Sequence, residues 1–186
     1  MNITARQLDF KALNDQIKST EGDVCINECY GQRFIGSGAK GRKITINGTP
    51  GNALGAYLDG AVIEVNGNAQ DAVGDTMNAG KIVIRCNAGD ALGYAMRGGT
   101  IFDQGNAGYR TGIHMKEYKE KKPVIVIGGK VGSFLGEYLA GGLIVVLGLG
   151  EENAVPVGNF TGTGMHGGRI FIRSKTELAA LPALVI

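Results

Sequence analysis

The sequence predicts an all-β fold, a right-handed parallel β-helix (solenoid) of about seven 19-residue coils with a short N-terminal capping helix. Two observations carry this prediction: a glycine that returns every 19 residues, and apolar columns that fall into register when the chain is cut at those glycines. A third is compositional: 32 glycines accompany only 4 prolines, in a chain of which 44% is hydrophobic. Without a three-residue period, that excess of glycine marks tight corners between short strands and speaks against collagen or disorder.

The marker glycines are Gly36, Gly55, Gly74, Gly93 and Gly112, in steps of 19. Gly136 and Gly162 follow at steps of 24 and 26, one repeat plus insertions of five and seven residues. The first insertion lies in KEYKEKK (residues 116–122), the second near EENAVPV (residues 151–157). Eight residues beyond each marker, skipping the first insertion, stand Ile44, Ile63, Ile82, Ile101, Ile125, Ile144 and Ile170. Two further on come Ile46, Val65, Ile84, Asp103, Ile127, Val146 and Ile172, an aliphatic column with one exception. Three after each marker come Ala39, Leu58, Met77, Met96, Met115, Leu139 and Met165. The alternation in AVIEVNG or KIVIRCN has the period of a strand. Each coil is therefore expected to hold two short strands separated by glycine corners. Stacked about 4.8 Å apart, seven coils give a rod of roughly 30 Å. Right-handedness follows from the general preference of parallel β-crossovers.

The elements are expected in this order. Residues 1–23 form an N-terminal cap, in which Asp9 caps a helix with Phe10, Leu13 and Ile17 on one face. VCINEC (residues 24–29) then closes the first coil, and residues 24–175 make up the β-helix. Residues 176–186 are a tail or the start of a C-terminal cap, and the abrupt apolar ending is what a shortened version of a longer chain would show.

Several motifs could suggest chemistry. GSGAKG (residues 36–41) and the run from Gly162 in TGTGMHGG (residues 161–168) both match G-x-G-x-x-G. A dinucleotide loop needs a following helix and an acidic residue ~20 positions on, whereas here a strand pattern follows, so both read as coil corners. Cys25, Cys29 and Cys86 lack the compact spacing of a zinc site with only His114 and His166 to help, and are expected to be core or half-buried thiols. His166 is expected at a corner. Asp103 breaks an aliphatic ladder. Either a local distortion turns it outward, or it serves a functional or interface role with Arg97 or Arg110 as partner. The insertions, where a solenoid usually specialises, make Lys116, Tyr118, Lys119, Glu151 and Glu152 candidates for a partner interface, together with Asp103 and His166. Between the ladder residues the outward positions are Thr45, Glu64, Val83, Phe102, Val126, Val145 and Phe171. One carboxylate among seven argues against a carbohydrate-cleaving β-helix, and the apolar stripe argues for a covered surface.

A balance of 19 basic against 17 acidic residues, without an aromatic-basic platform, gives no reason to expect nucleic acid. The longest apolar run, YLAGGLIVVLGLG, is 13 residues, short of the ~20 a spanning helix needs, so no membrane role is expected. Three cysteines and no secretory signal in MNITARQLDF lead to the expectation of a cytoplasmic chain.

The stretches GQRFIGSG (residues 31–38), GNALGAYLDGAVIEVNGNAQDAVGDTMNAGKIVIR (residues 51–85), LGEYLAGGLIVVLG (residues 135–148) and GMHGGRIFIR (residues 164–173) resemble the GXGXG domain. That domain is the C-terminal β-helix of the glutamate synthase large subunit, and is related to one of the subunits of formylmethanofuran dehydrogenase. The resemblance runs over about residues 24–175 and implies a stand-alone, archaeal-type version of the domain. It implies a non-catalytic structural subunit of a glutamate-synthase-like complex in glutamate biosynthesis. Its partners would be a class II glutamine amidotransferase subunit and an FMN-containing synthase subunit, with FMN and iron–sulfur centres on those partners and no cofactor in this chain. A second copy of the chain is a further candidate partner. An assembly subunit of a formylmethanofuran-dehydrogenase-like complex is the alternative. No catalytic residue carries over: Asn2 follows Met1 where the glutaminase needs a cysteine nucleophile, and neither an FMN barrel nor a cysteine cluster is present.

Overall fold

The computed structural model describes residues 1–177 as a parallel β-solenoid with one short helix. Its strands are β1 (Asn2–Thr4), β2 (Val24–Tyr30), β3 (Lys43–Thr49), β4 (Asp59–Asn66), β5 (Ala79–Ile84), β6 (Thr100–Asp103), β7 (Val124–Ile127), β8 (Ala140–Val146) and β9 (Gly167–Ile172). They form a single sheet in strict sequence order, with every neighbouring pair parallel. From β3 onward the register is that of the sequence repeat: Ile44 faces Ile63, then Ile82, Ile101, Ile125, Ile144 and Ile170. The sheet continues past the repeat to β2 and β1, and β1 lies inside the segment expected to be only a cap. Three residues are too few for a period-two pattern to show.

One expectation fails. Each coil holds one strand of the sheet, and the second strand is reduced to single-residue bridges such as Ala69–Ala88, Ala107–Val131 and Val131–Val157. The reason lies around the marker glycine. In every coil the residues two before it, at it and two after it all have positive φ, as in Ala91, Gly93 and Ala95 or Arg110, Gly112 and His114. Two overlapping turns result: Tyr94 N–H donates to Ala91 O and Met96 N–H to Gly93 O, with the residue at the third position of each turn in the left-handed region. A chain turning this tightly cannot be extended.

The marker glycine also explains the isoleucine column. A Cβ on Gly93 would lie 2.4 Å from Ile125 Cδ1, and one on Gly112 2.4 Å from Ile144 Cδ1. The isoleucine of the next coil fills the space that the glycine leaves, with the one methyl that valine lacks. The ladders of Ile, Val, Leu and Met side chains form one continuous core. A further ladder runs beside them: Ile35, Leu54, Val73, Leu92, Thr111, Leu135 and Thr161, one before each marker, are all buried. Thr111 and Thr161 satisfy their buried hydroxyls by donating to Gly108 O and Gly158 O. At other corners, polar side chains bond one coil to the next. Asn68 Oδ1 accepts from Asn87 N, Asn87 Oδ1 from Asn106 N, and Asn106 Oδ1 from Lys130 N.

At the N-terminal end, helix α1 (Phe10–Ser19) is capped by Asp9, whose carboxylate accepts from Ala12 N at 2.7 Å. Leu13 and Ile17 are buried against the end of the stack, as expected. Phe10 is instead 47% exposed and rests against the ring of Phe34. Arg42 donates to Ile17 O and Thr20 O and so ties the end of the helix to the first coil. Residues 178–186, most of the expected C-terminal segment, lie outside the described residues.

Candidate functional site

The outer face of the sheet changes character along the rod. Over β3–β5 its inter-ladder residues are mixed: Arg85, just past the end of β5, and Lys43 both pair with Glu64, which holds that carboxyl below the usual range. Over β6–β9 it becomes mostly apolar: Phe102, Val124, Val126, Leu143, Val145 and Phe171 stand on it in register, with Thr100 and the exposed Arg169 at the edge where the strands begin. Phe102 is 39% and Phe171 56% exposed. A contiguous apolar sheet face is costly to leave in water and marks a contact surface.

The two insertions flank this face. All strands run the same way, so the first insertion, before β7, sits on the edge where strands begin. The second, after β8, sits on the edge where they end. The first is folded rather than loose: Tyr118 and Lys121 exchange both backbone hydrogen bonds, Lys119 takes a left-handed turn conformation, and its ammonium sits 5.4 Å from the Tyr118 ring. Glu117 Oε1 accepts from Gly142 N and anchors the insertion to β8. In the second, Glu151 pairs with Lys130 and Glu152 with Lys175. The structure thus places Tyr118 and Lys119 on one side of the apolar face and Glu151 and Glu152 on the other.

Lys116 and His166 belong to a different surface. The residues two and four after the markers stack coil upon coil beside the corner, and in the later coils they line an open cavity of about 400 Å³. Its walls are Ala95, His114 and Tyr138 from one column and Arg97, Lys116, Ala140 and His166 from the other. The His114 and Tyr138 rings are stacked, with centroids 5.2 Å apart, and Tyr94 meets His114 edge-on. His166 Nδ1 lies 3.2 Å from Gly164 O; a carbonyl can only accept, so this nitrogen carries a proton. Arg97, His114 and Tyr138 also line it, although the sequence pattern marked none of them as an interface candidate.

Asp103 joins neither surface, and it does not turn outward. It stays in the ladder between Ile84 and Ile127, 2% exposed. Oδ1 accepts from Gly105 N at 3.3 Å, while Oδ2 is buried with no partner among the described residues. Neither expected arginine reaches it: Arg110 pairs with Glu137 and covers the Phe134 ring, and Arg97 lines the groove. Parallel register holds the side chain in place, because turning it outward would slip every residue of β6 to the opposite face. Burial pushes its carboxyl up to about 7, against the opposing pull of the Gly105 and Ala88 backbone N–H groups.

All three cysteines are free. Cys29 is buried and burial raises its thiol to about 11, and Cys25 is half-buried. Cys86, expected to pack, is exposed, because its column lies at a corner where the side chain points away from the core. Among the described residues no group of His, Cys, Asp and Glu could hold a metal ion, and no helix is long and apolar enough to cross a membrane.

A model of the GXGXG motif family matches residues 16–181 of the chain. An uncharacterized protein of Methanocaldococcus jannaschii is 45% identical over 186 aligned residues, which cover 94% of this chain and 71% of that protein.

Proposed function

The chain belongs to the GXGXG motif family, and from that premise we propose that it is a non-catalytic scaffold subunit of a glutamate-synthase-like complex. It holds a separate class II glutamine amidotransferase subunit and a separate FMN-containing synthase subunit in a fixed relation, and the flavin and iron–sulfur chemistry belongs to those partners. The observation that carries the reading is the apolar outer face over β6–β9, bracketed by the two insertions. A rod with a continuous ladder core resists bending, and a partner seated on that face would cover Phe102, Val126, Val145 and Phe171. Tyr118, Lys119, Glu151 and Glu152 would form the polar rim of the contact.

Purification of the tagged chain at native abundance, with identification of its companions, tests the proposal. The expected companions are an amidotransferase and a flavoprotein in fixed stoichiometry. Companions carrying molybdenum or tungsten would replace this reading with that of a formylmethanofuran-dehydrogenase-like assembly subunit. Recovery of the chain alone, or only with copies of itself, would sink both.

A further inference from the structure

We propose that the groove beside the coil corners, lined by Arg97, Lys116, His114, Tyr138 and His166, is a binding site for a small polyanion carrying phosphate groups. The argument begins with the column four residues after the markers. At the N-terminal end of that column Lys40 and Asp59 sit in adjacent coils and pair at 2.7 Å. That is the arrangement expected where like charges on neighbouring strands repel and opposite charges attract. Three and four coils further along, the same column sets Arg97 directly beside Lys116. The stacking is fixed by the backbone, since Arg97 N–H donates to Met77 O and Lys116 N–H to Met96 O. Neither cation has a carboxylate partner among the described residues, and the Nε of Arg97 is buried without an acceptor.

The nearest acids are committed elsewhere. Glu137 pairs with Arg110, and Glu117 accepts from the Gly142 backbone. Among the described residues no carboxylate lines the groove. Two unpaired cations stacked one coil apart, one of them with a buried N–H lacking an acceptor, are stabilised by a bound anion and by nothing else in the site. Ala140 leaves the space in the column that a larger residue would fill, and His166 closes the far end. The Nδ1 contact to Gly164 O fixes that ring at the end of the groove.

The shape narrows the ligand. A cavity of about 400 Å³ suits a small molecule better than a peptide segment. Part of the aromatic wall is already engaged: His114 covers one side of Tyr138, and Gly164 lies so close that a Cβ there would meet the Tyr138 ring at 2.5 Å. Recognition therefore rests chiefly on charge and hydrogen-bond geometry. Arginine and lysine together suit tetrahedral phosphate oxygens.

Titration of the full chain with inorganic pyrophosphate at constant ionic strength, followed by amide NMR and calorimetry, tests the site. Saturable binding is expected, with shifts centred on residues 95–97, 114–116, 138–140 and 166. Arg97→Gln and Lys116→Gln should each weaken it by about tenfold, the loss of a charge-assisted hydrogen bond. Lys81→Gln, on the outer sheet face, should leave it unchanged. The double variant R97Q/K116Q should melt no lower than the wild type without ligand, because a repulsion has been removed. Binding that survives the double variant, or no saturation by about 10 mM pyrophosphate (a dissociation constant weaker than ordinary for such a site), overturns the proposal. Saturation by an acidic peptide but not by pyrophosphate would overturn it as well, and would make the groove a protein contact.

Discussion

At the scale of single residues, the marker glycine and the isoleucine of the next coil behave as one unit. Gly93→Ala meets two penalties: a φ of 69° that L-residues adopt at a cost, and a Cβ 2.4 Å from Ile125 Cδ1. Together they should destabilise the protein by about 3 kcal/mol. Ile125→Val alone should cost about 1 kcal/mol, but in the Gly93→Ala background it should restore part of the loss by removing the clashing methyl. A denaturant double-mutant cycle reads the coupling, and additive effects would show that the pair does not interact. Asp103 offers a second test with a definite sign. Its folded value of about 7 exceeds the ordinary 3.8, so the folded state holds the proton more tightly than the unfolded chain. Stability linked to Asp103 is thus complete below pH 4 and is lost as pH rises to 7, by roughly 4 kcal/mol in all. Asp103→Asn should remove that dependence, so that the variant gains over the wild type from pH 4 to pH 8. Parallel pH curves for the two proteins would refute the linkage.

At the scale of elements, the helix and the sheet edge stabilise each other. The α1 residues Leu13 and Ile17 lie over the end of the core, while Gln32 donates to Ala5 O and Leu8 O and holds the incoming chain. Asp9→Ala should cost about 1 kcal/mol through loss of the N-cap. In a solenoid, where each coil touches only its neighbours, the damage should stay local. Hydrogen exchange should accelerate in α1, β1 and β2 and remain unchanged in β5–β8. Uniform acceleration along the rod would mean that the stack unfolds as one unit.

For the whole molecule, the division of the outer sheet face into a mixed half and an apolar half is the feature with a functional consequence. Val145→Lys places a charge in the middle of the apolar half. It should abolish recovery of partner subunits while moving the thermal midpoint of the isolated chain by no more than about 3 °C, since the side chain lies outside the core. Retained partners after that substitution would move the interface to another surface.

The periodicity by itself determined the stacking, the register from β3 to β9 and the inward ladders, because a column of isoleucines at a fixed spacing can be buried only when the coils lie directly over one another. The helix and its Asp9 cap were legible for a similar local reason. The tertiary structure alone decided what depends on neighbours in the next coil. The turns around each marker suppress a second strand because backbone bonds between coils hold even Tyr57 and His114 at positive φ. Register keeps Asp103 inside although its own chemistry favours water. The groove joins Arg97, His114, Tyr138 and His166 from four coils, and no window of sequence contains them together. Spacing along the chain fixed which residues stack; only the packed coils showed which stacked charges lack a partner.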